Sequence, residues 1–539
     1  MANSIVEYFA EHENYKCGYC KKTDTNFAHG MWAHTMSVED YQALIDRGWR
    51  RSGKYCYKPT LNIICCPMYT IRCRALEFKA TKSQKKVLKR FNKYLMGEEE
   101  VLGKSNRKLS ESSDDMKLDY CGGGDEFVES KQKPQELSFE GVIKYIDDQS
   151  TDPSDIYLCD GTENLNESSS SGDVGPSSSH DLSLTTESIN KVNEIENLTP
   201  GPMCASSSKE LSASTTKEIK KGSGPDPTKM PCRKAKDIRK ERKLEKLKAQ
   251  GKDITILESK ANTNEKDFEL FIKELPAETK HRLEIRLVRT QPPSEQWLRT
   301  AKEVHRVYVK YQMTVHGDTE DKCTEDKFQE FLVHSPLVEE YTSRGPACGF
   351  GSFQQQYCLD GRIIAVGVID ILPKCISSVY FFYDPEYRNL NLGTYGALRE
   401  LEFTRHLHTQ SADLKYYYMG YYIHSCPKMR YKGRFSPSDL LCPETYKWFP
   451  LNDCLPKLEA SPYSRLNPDL DALDDNYPNS RDINHIQVLY KGSVWLFGAY
   501  KRKHLRNIEK IAAVMEYASL VGARAATSIV LIGSTKRFI

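Results

Sequence analysis

The sequence predicts an α/β fold built on a mixed sheet, with a small cysteine-rich unit near the N-terminal end and a disordered acidic insert between the two. Three observations carry this reading. Residues 363–372 (IIAVGVIDIL) and 376–383 (ISSVYFFY) are rich in β-branched and aromatic side chains, and a helical pattern and a further strand-like run at 414–423 follow them. Cysteine pairs fall at Cys17/Cys20 and at Cys65/Cys66. Residues 103–228 are rich in Ser and acid and poor in aromatics, so they bury too little apolar surface to offset their ordering entropy.

Residues 1–102 form the cysteine-rich unit. Within it, 69–78 (YTIRCRALEF) alternates as a strand does, and 82–96 reads as a basic helix with Val87, Leu88, Phe91 and Leu95 on its apolar stripe. Residues 103–228 are the acidic linker; a short helix is expected at 137–146, where Phe139, Val142, Ile143 and Ile146 share one face. Residues 229–262 are a basic helical segment. Its stretch 232–249 sets nine Lys and Arg against only Asp237, Glu241 and Glu245, which favours a contact to RNA phosphates or a nuclear import signal over a solvated helix.

Residues 263–539 form the larger globular unit. Helices are expected at 268–275 and 295–311. Pro373-Lys374-Cys375 is short enough to join 363–372 and 376–383 as a hairpin. Residues 392–406 read as a helix with Leu398, Leu401 and Phe403 inward, and 414–423 as the next strand. Strand, Gly-bearing turn, helix, strand is the central unit of acetyltransferase-like (GNAT-type) folds.

The net charge of +3 over 539 residues hides a strong asymmetry. Residues 111–200 carry 21 acidic and 5 basic side chains, near −16, which leaves the rest of the chain at about +19. A body that basic favours a polyanionic partner, with nucleic acid first. No secretory signal and no uninterrupted apolar run of about 18 residues is visible, so no membrane partner is expected. Seventeen cysteines without a signal read as reduced thiols or metal ligands, which places the chain in the cytoplasm or nucleus.

Four constellations carry chemistry. Cys17-x-x-Cys20 with Cys65-Cys66 supplies four thiolates for zinc or an iron–sulfur cluster, with Cys56 and Cys73 in reserve. Residues 345–357 join a Gly/Pro loop to Gln354, Gln355 and Gln356, which can bind a polar ligand without charge. Tyr383-Asp384-Pro385 leads into the helix bearing Gly393 and Gly396, whose N-terminus offers free N–H groups to an oxyanion. Residues 416–433 run from a tyrosine strand containing Tyr421 into Lys428, Arg430 and Lys432, suited to stacking on a terminal base and holding phosphate or carboxylate. There is no HExxH and no GxxxxGK[ST], so zinc proteolysis and ATP hydrolysis are poor fits.

These residues resemble a known family. CGYC, GMWAH (30–34), RGWRRSGKY (47–55), CCPMYTIRCR (65–74), FGSFQQQY, IAVGVIDILP, SSVYFFYDPEY, LGTYGALRE, YYYMGYYIHSCPKMRYKG and SDLLCPETY (438–446) are similar to eukaryotic arginyl-tRNA–protein transferases. The resemblance covers most of 1–75 and 340–450, whereas the tail beyond about 505 looks divergent. It implies transfer of arginine from arginyl-tRNA to the N-terminal amine of proteins beginning with Asp, Glu or oxidised Cys, marking them for ubiquitin-dependent degradation through N-degron recognition. It also implies an acetyltransferase-like catalytic domain and an iron–sulfur cluster or zinc at Cys17, Cys20, Cys65 and Cys66. The family commonly carries His where this chain has Gln354.

An aminoacyl ester is already activated, so no ATP site is needed. An α-amine with a reference pKa near 8 gives up its proton at pH 7 for only ~1 kcal/mol. Holding amine and ester together supplies as much as ~7–11 kcal/mol, so positioning and oxyanion stabilisation dominate over a strong base. Tyr383, Asp384 and Tyr421 are the candidate catalytic residues; Gln356, Gly393, Lys428, Arg430 and Lys432 are the candidate substrate-binding residues. Two other readings remain open from the residues: an RNA-binding adaptor with a zinc module, and an acetyl-CoA-dependent acetyltransferase, for which the Gly393/Gly396 spacing is a poor match.

Overall fold

The computed structural model describes residues 4–10, 14–98, 144–145, 242, 267–273 and 279–533. The acidic linker and the basic segment lie outside them, except Arg242, which is helical, and 144–145. The helix expected at 137–146 is not what those two residues form: Lys144–Tyr145 is a strand pairing with Ser493 and Val494.

Two mixed sheets share one compact unit. The eight-stranded sheet runs in the order Trp448–Pro450, Ser438–Leu441, Tyr69–Arg74, Tyr416–Tyr422, Cys375–Tyr383, Arg362–Ile371, Gly351–Leu359, Leu283–Gln291. The strand from the cysteine-rich segment therefore sits inside a sheet otherwise made by residues beyond 280. The expected strand at 69–78 ends at Arg74, because Ala75 turns to bond Lys415 and Glu77 folds back onto Arg74. The 363–372 and 376–383 runs form the expected antiparallel hairpin.

The other sheet runs Arg50–Ser52, Tyr55–Pro59, Asn26–Thr35, Ile5–Phe9, Val530–Ile532, Gln487–Tyr490, Ser493–Leu496, Lys144–Tyr145, with Asn14–Tyr15 paired to Asn26–Thr35. Val530–Ile532 lies parallel to both Ile5–Phe9 and Gln487–Tyr490, so the divergent tail supplies an interior strand that joins the first strand to the rest of the sheet. No helix among the described residues is long and apolar enough to cross a membrane.

One pairing in the eight-stranded sheet positions the site. Cys375–Tyr383 and Tyr416–Tyr422 are parallel and pair only over Cys375↔Tyr416, Ile376↔Tyr417 and Ser377↔Tyr418. Beyond Ser377 the strands diverge into a fork. A parallel pair needs a crossover, and helix Leu392–His408 supplies it. That helix lies close to the sheet because residue 396 is glycine: a Cβ there would come within 2.2 Å of the Phe381 ring. Leu398 and Leu401 are buried as expected, while Phe403 is half-buried. On the other arm, Gly420 adopts φ +70° within a bulge between Tyr418 and Tyr421, a left-handed conformation that favours glycine and re-aims Tyr421.

Helix Lys82–Met96 has the expected limits, set by a Thr81/Gln84 capping box and by Gly97 in the left-handed region. Helix Glu295–Tyr311 starts at a Ser294 cap and buries Trp297, Val304, Val307, Tyr308 and Tyr311 against the sheet.

Candidate functional site

The four predicted cysteines converge. The chain reverses after Cys17, with Lys22 O accepting from Cys17 N (2.8 Å) and Cys17 O accepting from Lys21 N (2.9 Å). Lys21 and Asp24 take positive φ to complete the knuckle. Cys65 is tied back by its N–H to Thr25 O (3.1 Å), and the Thr25 hydroxyl donates to its sulfur (3.1 Å). All four Sγ atoms lie within 4.8 Å of one another, and Cys20 and Cys65 are 3.3 Å apart. The adjacent pair Cys65-Cys66 points inward because the chain turns at Thr60–Ile64 rather than running extended. Cys56 and Cys73 are fully buried elsewhere.

The thiols compete for ionisation. Burial pushes Cys65 up to about 11 and raises Cys66 further. At Cys20 slight burial acts upward, but hydrogen bonds from the Lys22 backbone and the neighbouring thiols outweigh it and hold the group near 7. Four sulfurs this close cannot all be thiolates without a cation among them, which is the donor set of a tetrahedral metal site.

The fork encloses a cavity of ≈ 50 Å³. Ser377 and Ser378 line it from one arm, and Met419, Gly420 and Tyr421 from the other. Arg50 and Arg51 reach it from the second sheet, Met429 and Lys432 close it from the segment after Tyr422, and Tyr19 reaches it from inside the CxxC knuckle. Cys17, Cys66, Tyr421 and Met429 belong to one apolar cluster, so the cysteine site and the fork are packed as a unit.

Three arginines of the RGWRRSGKY stretch are buried. Arg47 is bidentate to Asp474, at 3.1 and 2.7 Å. Arg51 engages both oxygens of Asp370, as well as Ser352 and Gly53 O. Arg50 differs. Its Nη1 bonds the carbonyls of Trp49 (2.6 Å) and Ile45 (3.4 Å), yet Nε and Nη2 have no partner among the described residues, and the residue is 6% exposed. Its guanidinium lies 5.4 Å from the Tyr421 ring and 5.8 Å from the Tyr418 ring. Nε and Nη2 form the edge that grips a carboxylate with two parallel hydrogen bonds. Leaving them unpaired in the interior is expensive, and an anionic ligand removes that penalty.

Of the predicted site residues, Tyr421 and Lys432 meet at the fork: Lys432 Nζ donates to Tyr421 O (2.8 Å), and the Tyr421 hydroxyl to Gly48 O (3.0 Å). Lys428 and Arg430 are exposed on the turn Pro427–Arg430, with Met429 buried between them. The others lie away from the fork cavity. Asp384 caps the turn Pro385–Leu390 through Glu386 N (3.1 Å) and pairs with Lys310 Nζ (2.8 Å). Tyr383 packs edge-on to Tyr311 at 5.1 Å. Gln356 is buried and donates to the Thr300 hydroxyl (2.9 Å), and Gln354 is fully buried nearby on the same strand. Gly393 lies in the first turn of helix Leu392–His408 and is buried. Sequence reasoning did not single out Arg50, Ser378 or Tyr19; all three arginines of the RGWRR run are buried, and only their hydrogen-bond partners distinguish them.

The chain is similar to known proteins over the segments that contribute to both sites. The family profile described as "Arginine-tRNA-protein transferase, N terminus" matches residues 15–86, which span the cysteine site and Arg50. The profile described as "Arginine-tRNA-protein transferase, C terminus" matches 303–442, which span both arms of the fork. The chain is 38% identical to arginyl-tRNA–protein transferase 1 of Drosophila melanogaster over 98% of this chain and 99% of that one. It is 35% identical to arginyl-tRNA–protein transferase 1 of Arabidopsis thaliana, over 83% of this chain and 73% of that one. An aspartate/glutamate leucyltransferase of Pseudomonas aeruginosa (strain LESB58) is 32% identical over 30% of this chain and 59% of its own length. With both profiles meeting at the fork and near-complete coverage of a relative, the chain belongs to the arginyl-tRNA–protein transferase family.

Proposed function

We propose that the fork pocket is where this enzyme transfers arginine from arginyl-tRNA to the N-terminal amine of a protein, and that Arg50 selects an acidic first residue. One observation carries the proposal: Arg50, a buried guanidinium whose Nε and Nη2 have no hydrogen-bond partner among the described residues, is one of the residues that line a cavity between diverging strands. An acceptor beginning with Asp, Glu or oxidised Cys brings an anionic oxygen pair to Nε and Nη2, next to the amine that must react. The parallel pair that opens beyond Ser377 supports an acetyltransferase-like sheet, in which an acyl donor and an amine meet between the splayed strands. Exposed Lys428 and Arg430 suit the phosphates of the tRNA end. The resulting N-terminal arginine marks the acceptor for N-degron recognition and ubiquitin-dependent degradation, in the cytoplasm and nucleus.

Cys17, Cys20, Cys65 and Cys66 would hold the metal. A tetrahedral ion about 2.3 Å from each sulfur sets the sulfurs about 3.8 Å apart, which fits four sulfurs that all lie within 4.8 Å of one another. That supports one zinc ion over an iron–sulfur cluster, whose several irons hold the sulfurs farther apart. When bound, the ion supplies cross-linking of the knuckle to the Thr60–Cys66 loop, and through Tyr19 and the shared apolar cluster it fixes one wall of the fork. Metal analysis of anaerobically purified protein tests this: one zinc per chain without visible absorption is expected, and stoichiometric iron and sulfide would contradict it.

The activity is tested with labelled arginyl-tRNA and peptides beginning with Asp, Ala or acetylated Asp. Transfer to the free Asp peptide alone is expected. Equal transfer to the Ala peptide would overturn Arg50 as the selector.

A further inference from the structure

Behind the fork lies a buried acid, Glu400. Helix Leu392–His408 turns Glu400 onto the sheet, where it is 1% exposed. The Tyr417 hydroxyl donates to its Oε2 at 2.6 Å. The Ser378 hydroxyl hydrogen-bonds it as well, and Ser378 lines the fork cavity. Gly367 leaves it room: a Cβ there would stand 2.7 Å from Glu400 Oε1. Tyr357 faces it from the next strand. Arg399, its neighbour on the helix, is directed to Tyr395 (3.5 Å) and Glu402 (3.9 Å) instead. Among the described residues Glu400 makes no ion pair. Burial lifts its carboxyl to about 7, against the downward pull of Tyr417 and Ser378, so it gains and loses a proton near neutrality.

We infer that Glu400, acting through Ser378, is the positioning residue that receives the first proton from the acceptor's α-ammonium. The inference rests on the fork being the transfer site. The ammonium gives an N–H proton to Ser378 Oγ as the Ser378 proton passes to Glu400. The freed lone pair attacks the arginyl ester carbonyl, and a C–N bond forms. The ester C–O bond to the terminal ribose then breaks, and the leaving ribose oxygen takes the second proton of the attacking nitrogen. Glu400 returns its proton to solvent. No net redox change occurs, and the products are the arginylated N-terminus, uncharged tRNA and one proton.

The test is the pH dependence of single-turnover arginine transfer at saturating acceptor. Wild type should show an inflection near 7 that stays fixed when the acceptor peptide is exchanged for one of different α-amine pKa, since it belongs to the enzyme. In Glu400→Gln and in Ser378→Ala this inflection should vanish, with transfer slowed about 100-fold at neutral pH. Glu400→Asp should retain an inflection. A wild-type profile in Ser378→Ala overturns the inference, even where Glu400→Gln fails to fold. Arg50→Gln separates the two claims. Loss of Asp-peptide transfer in Arg50→Gln beside unaltered Glu400 and Ser378 profiles overturns the relay and keeps the site. Unaltered Asp-peptide transfer in Arg50→Gln overturns the site, and the relay with it.

Discussion

Arg47, Arg50 and Arg51 lie within five positions and look equivalent in the sequence. Their partners decide their roles, and those partners lie 427 residues away for Arg47 and 319 for Arg51. No local pattern reveals which arginine is left with free donors, which is why Arg50 was not legible while Tyr421 and Lys432 were. A buried charge with unpaired donors burdens the fold, so Arg50→Met should leave the unfolding free energy within about 1 kcal/mol of wild type or above it, while abolishing selection of acidic acceptors. Denaturant unfolding beside the transfer assay measures both. Glu400 makes an opposite statement about pH. Its carboxyl is raised in the folded state from about 4.5 to about 7, so the folded protein binds more protons, and stability present at low pH is lost as pH rises between these values. The loss attributable to this group is about 3 kcal/mol. Comparing wild type and Glu400→Gln by urea unfolding at pH 5 and 8 should show a smaller decline in the variant.

Elements with their own punctuation were read well. Helix Lys82–Met96 has its capping box and its glycine, and the hairpin of Arg362–Ile371 with Cys375–Tyr383 follows from two β-branched runs and a short link. What periodicity cannot supply is partnership. The Tyr69–Arg74 strand was visible, but not that it lies between Tyr416–Tyr422 and Ser438–Leu441. The fork was hidden for the same reason, since divergence is a property of two strands joined by a helix and not of either run. The cysteine site was legible because CxxC spacing encodes a knuckle locally. Its packing against Tyr421 and Met429 was not. That packing predicts that stripping the metal with a chelator lowers acceptor binding as well as thermal stability. Hydrogen exchange should rise both in residues 60–66 and in 421–430; a rise confined to the cysteine loops would contradict the coupling.

At the scale of the whole molecule the charge asymmetry was plain in the sequence, and the threading was not. The tail that looked divergent forms helix Ile508–Val521 and strand Val530–Ile532, and the strand pairs with Ile5–Phe9. Truncation before 508 should therefore expose the N-terminal sheet edge and yield aggregating protein, as light scattering after expression would show. The basic body predicts salt-dependent tRNA binding. Lys428→Glu with Arg430→Glu should reduce the slope of log affinity against log salt by roughly 1.4, about 0.7 for each phosphate contact of a single strand. The most direct measurement compares kcat/KM for acceptor peptides beginning with Asp and with Asn, in wild type and in Arg50→Gln. The fork account predicts a wild-type preference for Asp of about 100-fold, from a bidentate charge-assisted pair, collapsing toward unity in the variant with little change for Asn. An undiminished preference for Asp in Arg50→Gln would place acceptor selection elsewhere in the molecule.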